Sequence, residues 1–147
     1  MSNAKHGDVI QVHRWRSLYS HFGVYAETPH GPRVIHYCNT EGPSDFYGIV
    51  RETAVEKFLN GAEEFNVYAF DPKEYPRIYS GKETVERARS RLGDGDYHLL
   101  WNNCEHFTTW CKTGQQRSAQ IERIGAVLLS TVFQHLKAQP FWGGVRV

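Results

Sequence analysis

Residues 102–107, Asn-Asn-Cys-Glu-His-Phe, constrain the fold of this chain more than any other stretch of its sequence. A strand-like run at residues 97–100 precedes them and a helical pattern follows, so Cys104 falls at a strand-to-helix junction. The first turn of a helix offers unpaired N–H groups and the positive end of the helix dipole. Both favour a thiolate, the nucleophilic form of cysteine. The sequence therefore predicts an activated cysteine at a helix N-terminus.

The two asparagines before Cys104 are the candidate caps of this helix. Asn102 stands three residues before Glu105, which resembles a capping box, and Asn103 is an equally good N-cap. Either register leaves Cys104 in the first turn, where its backbone N–H is a candidate oxyanion donor. Asn102 and Asn103 could also support an oxyanion, although their capping role is enough to explain them.

Two histidines upstream lie in segments that predict strands able to fold over the cysteine. Residues 22–26 and 33–38 are rich in β-branched and aromatic side chains, and a loop containing Pro and Gly joins them. His21 enters the first of these strands, where Gly23 permits a close approach by a neighbouring chain segment. His36 is a polar residue in the otherwise apolar second strand. We therefore take His21 as the candidate base and His36 as the candidate group that orients it.

The remaining periodic segments predict an α+β fold, in which a small antiparallel sheet packs against helices. Further strands are expected at residues 9–13 and 64–70. Capping boxes at residues 53–56 and 80–83 predict the starts of two helices. A last, amphipathic helix is expected over about 118–137.

Length and composition indicate one domain without a nucleic-acid-binding surface. The chain has 147 residues, with 17 Lys and Arg against 16 Asp and Glu, so no basic patch is expected. The predicted domain covers residues 5–147 with a core at 7–114, and residues 1–4 resemble an expression scar. No run approaches the roughly 20 apolar residues of a membrane span. Without a signal peptide or such a span, the protein is expected to be soluble and cytoplasmic.

The candidate site residues also have structural interpretations. Cys104 could be a small buried hydrophobic residue, because free cysteine is often buried, and a lone histidine is more often structural than catalytic. Tyr25 could bring a hydroxyl group near the site. Four side chains could supply zinc ligands: His13, His21, His36 and Cys38. Their spacing matches no compact zinc pattern, so the sequence predicts neither a metal nor another cofactor.

A resemblance to a known family follows from these segments. Residues 103–107 resemble the NCEHF signature of the lecithin:retinol acyltransferase-like proteins, also called the H-box/NC family. The upstream matches come in the family order: residues 7–10 resemble the opening Gly-Asp strand, residues 21–25 the segment with the first histidine, and residues 34–37 the segment with the second. The resemblance covers roughly residues 7–114, and the five-residue string is its specific part.

The resemblance implies a fold related by circular permutation to the papain-like NlpC-type peptidases. It also implies a Cys-His-His triad, in which Cys104 is the nucleophile, His21 the base and His36 the third member. Animal members of the family move or hydrolyse acyl chains of phosphatidylcholine through an acyl-thioester intermediate, whereas several viral members keep the motif without clear enzymatic activity. This chain departs from the animal pattern in its longer loop between the histidines, and an amphipathic helix is expected at residues 118–137, where the animal members have a C-terminal membrane anchor.

The expected function is therefore cysteine-dependent acyl transfer or hydrolysis on an acyl ester, with a phospholipid as the expected substrate. Such chemistry needs no cofactor, and peripheral membrane contact is expected because the substrate is a lipid. Two alternatives stay open: a cysteine peptidase or amidase with the same triad, and an inert regulatory or interaction module on the same fold. The sequence predicts no particular oligomeric state.

Overall fold

The computed structural model of this protein divides into two compact units, Met1–Arg117 and Ser118–Val147. The described residues are 3–14, 19–38, 48–95 and 103–138. The predicted strand at residues 97–100 and the candidate cap Asn102 lie outside the described residues. The single domain expected over residues 5–147 stays a prediction.

The first unit is built on an antiparallel sheet with five described strands. In chain order they are β1 (Val9–Arg14), β2 (Tyr19–Thr28), β3 (Gly31–Cys38), β4 (Ile49–Ala54) and β5 (Asn66–Val67). Their spatial order is β4-β3-β2-β1-β5, which confirms the predicted α+β class. β4 was not predicted, because its sequence carries two charged side chains and Val50 is its one buried residue. β5 is much shorter than the strand expected over residues 64–70.

The described helices are α1 (Val55–Leu59), α2 (Gly81–Arg89), α3 (Cys104–Thr113) and α4 (Ala119–Ala138). The capping box predicted for α2 is confirmed, since Ser80 and Glu83 each accept a hydrogen bond from the other's backbone N–H. The capping box predicted at residues 53–56 is wrong. α1 begins after Ala54, which makes no side-chain capping bond, and Thr53 belongs to β4.

Strand register divides the side chains of the sheet between two faces, because residues paired across antiparallel strands point to the same side. Val24 pairs with Val9 and Ile35, and all three share the face covered by α2 and α3, which we call the α3 face. Its buried cluster is Val9, Phe22, Val24, Ala26, Ile35, Tyr37, Val50, Val85, Ala88, Cys104, Phe107 and Cys111. The opposite face, which we call the α1 face, has a second buried cluster: Ile10, Val12, Val34 and Phe58.

Two glycines let the start of β1 approach α2. Gly7 has a φ of +86°, and a Cβ atom there would lie 2.2 Å from the Cα atom of Gly81. A Cβ atom on Gly81 would in turn lie 2.0 Å from the carbonyl oxygen of His6. Lys112 of α3 donates a 3.0 Å hydrogen bond to the Gly7 carbonyl. These contacts fix the first strand against both helices of the α3 face.

The second unit contains the last predicted helix, α4, which is confirmed. Several of its apolar side chains are exposed, and many of them are spaced three or four residues apart, as neighbours on a helix surface are: Ile124, Val127, Leu128, Leu129, Val132 and Phe133. Among the described residues, no helix reaches the combination of length and hydrophobicity that a bilayer span requires.

Candidate active site

Cys104 is the first residue of α3, and Asn103 is its N-cap, in agreement with one of the two predicted registers. The Oδ1 atom of Asn103 accepts 3.0 Å hydrogen bonds from the backbone N–H groups of Glu105 and His106. Nδ1 of His106 accepts from the Asn103 N–H at 3.3 Å, so His106 and not Glu105 closes the capping box. The cap therefore holds the first turn of the helix without using the backbone N–H of Cys104.

The thiol of Cys104 has no exposed surface and lies at the start of β2. Its Sγ atom is 3.2 Å from the hydroxyl oxygen of Tyr19 and 3.8 Å from the backbone carbonyl of Ser20, to which it donates. Sequence reasoning missed Tyr19, because the strand was expected to begin only at residue 22. The contact joins residues 85 positions apart in the chain, so no local pattern could have predicted it.

The two predicted histidines form one buried pair. Nε2 of His21 is 3.1 Å from Nδ1 of His36, and Nε2 of His36 is 2.8 Å from the hydroxyl oxygen of Thr53. Both imidazole rings pack against Phe58 of α1, each with its ring centroid 5.2 Å from that of the phenyl group. The structure thus brings the two histidines together, and Thr53 is an addition that the sequence did not suggest.

Gly23 creates the space for this pair. A Cβ atom at Gly23 would lie 2.5 Å from Cγ1 of Val34, 3.0 Å from Cε2 of Phe58 and 3.3 Å from Cβ of His36. The sequence predicted that another chain segment approaches Gly23 closely, and the structure shows that the approaching atoms belong to Val34, Phe58 and His36. Side chains of the α1 face fill the position that a larger residue would occupy.

The thiol and the imidazole pair belong to opposite faces of the sheet. Cys104 lies in the cluster of the α3 face, whereas His21 and His36 pack on Phe58 in the α1 face. Neither ring nitrogen of His21 is bonded to the thiol: Nε2 meets His36, and the buried Nδ1 atom has no hydrogen-bond partner among the described residues. The thiol instead touches the carbonyl of Ser20, immediately before His21 in β2.

Burial keeps His21 uncharged. Desolvation by burial and, to a smaller extent, the nearby positive charge of Arg14 together lower the pKa of His21 from 6.5 to about 3. The guanidinium group of Arg14 is held in place because it donates to the backbone carbonyls of Phe58 and Leu59 at the end of α1. Near neutral pH, His21 is therefore a neutral imidazole.

The other cysteines and Tyr25 have different surroundings. Burial raises the pKa of Cys111 to about 12, which makes that thiol a poor nucleophile, and Cys38 is a buried free cysteine. The ring of Tyr25 packs 6.1 Å from that of Phe65, and burial raises the pKa of its hydroxyl group. The placement of Tyr25 in the site stays a prediction. Across the described ranges, no three His, Cys, Asp or Glu side chains are grouped so that they could hold a metal ion.

Comparison with known proteins gives a family match over most of the chain. The family model described as "Lecithin retinol acyltransferase" matches residues 2–117. This match confirms the resemblance found in residues 7–114.

Individual relatives cover different shares of the sequence. Lecithin retinol acyltransferase of Mus musculus is 39% identical over 75 residues, which cover 51% of this chain and 32% of that protein. The Bos taurus protein of the same name gives the same identity and coverage. Phospholipase A and acyltransferase 1 of Rattus norvegicus is 27% identical over 136 residues, which cover 85% of this chain and 78% of that protein. The match thus spans about a third of the length of the lecithin retinol acyltransferases.

Proposed function

Since the chain belongs to the lecithin retinol acyltransferase family, we propose that it is a cysteine enzyme that transfers or hydrolyses the acyl group of a lipid ester. One observation carries the proposal: Cys104, the first residue of a capped helix, lies against the start of the strand that bears His21. The names of the relatives support acyl transfer or phospholipase chemistry as the reaction class.

In the first half-reaction, Nδ1 of His21 takes the thiol proton while Sγ of Cys104 attacks the ester carbonyl carbon. The carbonyl electron pair moves to oxygen, and the oxyanion accepts hydrogen bonds from the Cys104 N–H and the Tyr19 hydroxyl. When the intermediate collapses, the ester C–O bond breaks and the leaving alcohol takes the proton from His21. The acyl group stays on Cys104 as a thioester.

In the second half-reaction, an acceptor alcohol, amine or water attacks the thioester carbonyl. His21 takes the proton of the acceptor, the C–S bond breaks, and the thiolate recovers that proton from His21. Water as acceptor gives hydrolysis, and an alcohol or amine gives transfer. His36 supports both steps, because its Nδ1 atom lies 3.1 Å from Nε2 of His21 and stabilises the transient imidazolium.

The electrostatics of His21 favour a general-base mechanism over a standing thiolate-imidazolium pair. With a pKa of about 3, His21 is neutral before the reaction and gains its proton only as the C–S bond forms. Because the thiol is fully buried, side chains around it must move before an ester can reach Sγ. The proposed proton transfer also requires a rearrangement at the start of β2, because His21 and Cys104 belong to opposite faces of the sheet and no hydrogen bond joins them in this structure.

A phospholipid is the proposed acyl donor. The names of the relatives, which refer to lecithin and to phospholipase A, support this proposal. Peripheral contact with a lipid surface belongs to the same proposal, because such a substrate resides in a bilayer. Six exposed apolar side chains of α4 are consistent with that contact.

The test is to trap the acyl-enzyme. The full chain is incubated with phosphatidylcholine vesicles, quenched in acid and analysed by intact-protein and peptide mass spectrometry, while release of fatty acid and lysolipid is followed in parallel. We expect a mass increase of one acyl chain on Cys104 that neutral hydroxylamine removes. Cys104→Ser should lose both the thioester and turnover.

The matched control is Cys111→Ala, which removes another buried thiol of α3 and should keep the adduct. Turnover that survives in Cys104→Ser would contradict the proposal. So would an adduct on Cys38 or Cys111 in place of Cys104.

An inert binding module is the second candidate, and one pair of observations favours it. The thiol is fully buried and His21 makes no hydrogen bond to it. If this candidate is correct, a small alkylating reagent at pH 7 should modify Cys104 no faster than Cys111 in the folded protein. The enzyme proposal expects Cys104 to react faster than Cys111 and to lose that excess in His21→Gln.

A further inference from the structure

We propose that Thr53 is a positioning residue of this site: its hydroxyl group sets the tautomer of His36 and, through it, leaves Nδ1 of His21 as a proton acceptor. The inference deepens the proposed function and rests on it for its catalytic consequence. It concerns a residue whose sequence context predicted a helix cap, and whose hydroxyl group in the structure meets an imidazole instead.

The strand register places Thr53 beside His36. His36 pairs with Arg51 across β3 and β4, and Thr53 pairs with Val34. Thr53 is therefore the diagonal neighbour of His36 on the same face of the sheet, within reach of a side-chain hydrogen bond. The observed distance from Oγ1 to Nε2 is 2.8 Å.

We assign the hydroxyl proton of Thr53 to a hydrogen bond with the following residue of the chain. Thr53 donates it to the backbone carbonyl of Ala54 at 3.1 Å. A hydroxyl group has one proton and two lone pairs, so Oγ1 can only accept from Nε2 of His36. Nε2 of His36 must then carry a hydrogen atom.

The tautomer of His36 in turn fixes the tautomer of His21. A neutral imidazole protonated at Nε2 has an acceptor lone pair at Nδ1, and Nδ1 of His36 faces Nε2 of His21 at 3.1 Å. Nε2 of His21 therefore donates, and Nδ1 of His21 carries the free lone pair. The opposite arrangement would place an N–H group on that buried Nδ1 atom, where the described residues provide no acceptor.

The consequence is a directed chain, from His21 through His36 and Thr53 to the Ala54 carbonyl. Each member donates to the next, and the free acceptor lies at the end that the proposed mechanism uses as its base. The hydroxyl group of Thr53 has no capping duty in α1, since that helix begins after Ala54 without a side-chain capping bond. Orientation of the histidine pair thus accounts for a hydroxyl group at this position.

The test compares Thr53→Val, which keeps the shape and removes the hydroxyl group, with Thr53→Ser, which keeps the hydroxyl group. Thr84→Val is the matched control, because the hydroxyl group of buried Thr84 also donates to a backbone carbonyl, that of Ser80 at 2.7 Å. We expect Thr53→Val to lower kcat by about tenfold to a hundredfold with little change in KM. Thr53→Ser and Thr84→Val should stay near the wild-type rate.

A second readout needs no substrate. The ¹⁵N chemical shifts of the His21 ring should show a protonated Nε2 and an unprotonated Nδ1 in the wild-type chain. In Thr53→Val the two tautomers should mix, and in Thr53→Ser the wild-type pattern should return. If wild-type His21 carries its proton on Nδ1, the inference is wrong, whether or not the variants fold.

The two readouts separate failure of this inference from failure of the proposed function. A fixed tautomer and full turnover in folded Thr53→Val would overturn the positioning role while leaving the cysteine enzyme intact. If Thr53→Val changes the tautomer of His21 and the wild-type chain never acylates Cys104, the structural role of Thr53 is supported and the proposed function is overturned.

Discussion

The two faces of the sheet hold the two halves of the candidate site, and they are built in different ways. On the α3 face, Cys104 lies in an apolar cluster and its polar contacts include a phenol and a backbone carbonyl. On the α1 face, His21 and His36 form a chain of hydrogen bonds that ends at Thr53. The nucleophile is placed by a helix cap, which is local, whereas the base is placed by strand register, which is not. Each half can therefore be disturbed separately.

The largest effect is expected from removing the base. His21→Gln keeps a polar side chain of similar reach but cannot cycle a proton, so the rate of Cys104 acylation should fall by about 10²- to 10⁴-fold. His36→Gln should cost less, because His36 acts only through His21. Single-turnover acylation by a labelled phospholipid measures both. An unchanged rate in His21→Gln would mean that the α1 face is no part of the site.

A smaller effect is expected on the thiol side of the sheet. Tyr19→Phe removes the hydroxyl group that lies 3.2 Å from Sγ and leaves the ring in place. If that hydroxyl stabilises the oxyanion, kcat should fall by about tenfold to a hundredfold. Tyr25→Phe is the control, since the Tyr25 ring packs on Phe65 and its hydroxyl group has no role in the proposed mechanism. Equal rates in the two variants would remove Tyr19 from that mechanism.

Gly23→Ala should disturb the α1 face and spare the α3 face. The added methyl group would meet Val34, Phe58 and His36, so we expect a loss of about 1–3 kcal/mol in the free energy of unfolding. Urea denaturation measures this loss. Gly31→Ala is the comparison for backbone strain alone, because Gly31 has a φ of +105° and open space around it. A Gly23→Ala variant as stable as the wild type would show that the imidazole pair is loosely packed.

The last expected effect is a pH dependence of stability. The pKa of His21 is about 3 in the folded chain and 6.5 when unfolded, so the unfolded state binds the proton first as the pH falls. This contribution to stability is complete above pH 6.5 and is lost progressively towards pH 3, by about 1.4 kcal/mol per pH unit within that window.

We would measure the free energy of unfolding of wild type and of His21→Gln at pH 7 and pH 5. The difference between the two proteins gives the contribution of His21 to the pH dependence of stability. Wild type should lose more stability than the variant over that interval. Identical losses would mean that His21 is not held neutral by burial.

Some elements could be predicted because their determinants are local. The Ser80–Glu83 capping box and the Asn103 cap of α3 are set by hydrogen bonds between residues a few positions apart. β4 could not be predicted, since its sequence has charged side chains and it forms by pairing with β3. Residues 64–70 alternate as a strand should, yet the strand is limited to Asn66 and Val67 on the edge of β1, with one further hydrogen bond from the Tyr68 N–H to the Val9 carbonyl. Periodicity predicts a strand only where a neighbouring edge is available.

The sequence by itself determined that Cys104 would begin a capped helix, because an N-cap needs only the residues that immediately follow it. It also marked His21 and His36 as unusual polar residues in adjacent strands. Only the tertiary structure decided that Thr53 would meet His36, that Tyr19 would meet the thiol, and that His21 would be left with a free Nδ1 atom. These contacts join residues 17 and 85 positions apart, so they depend on strand register and helix packing.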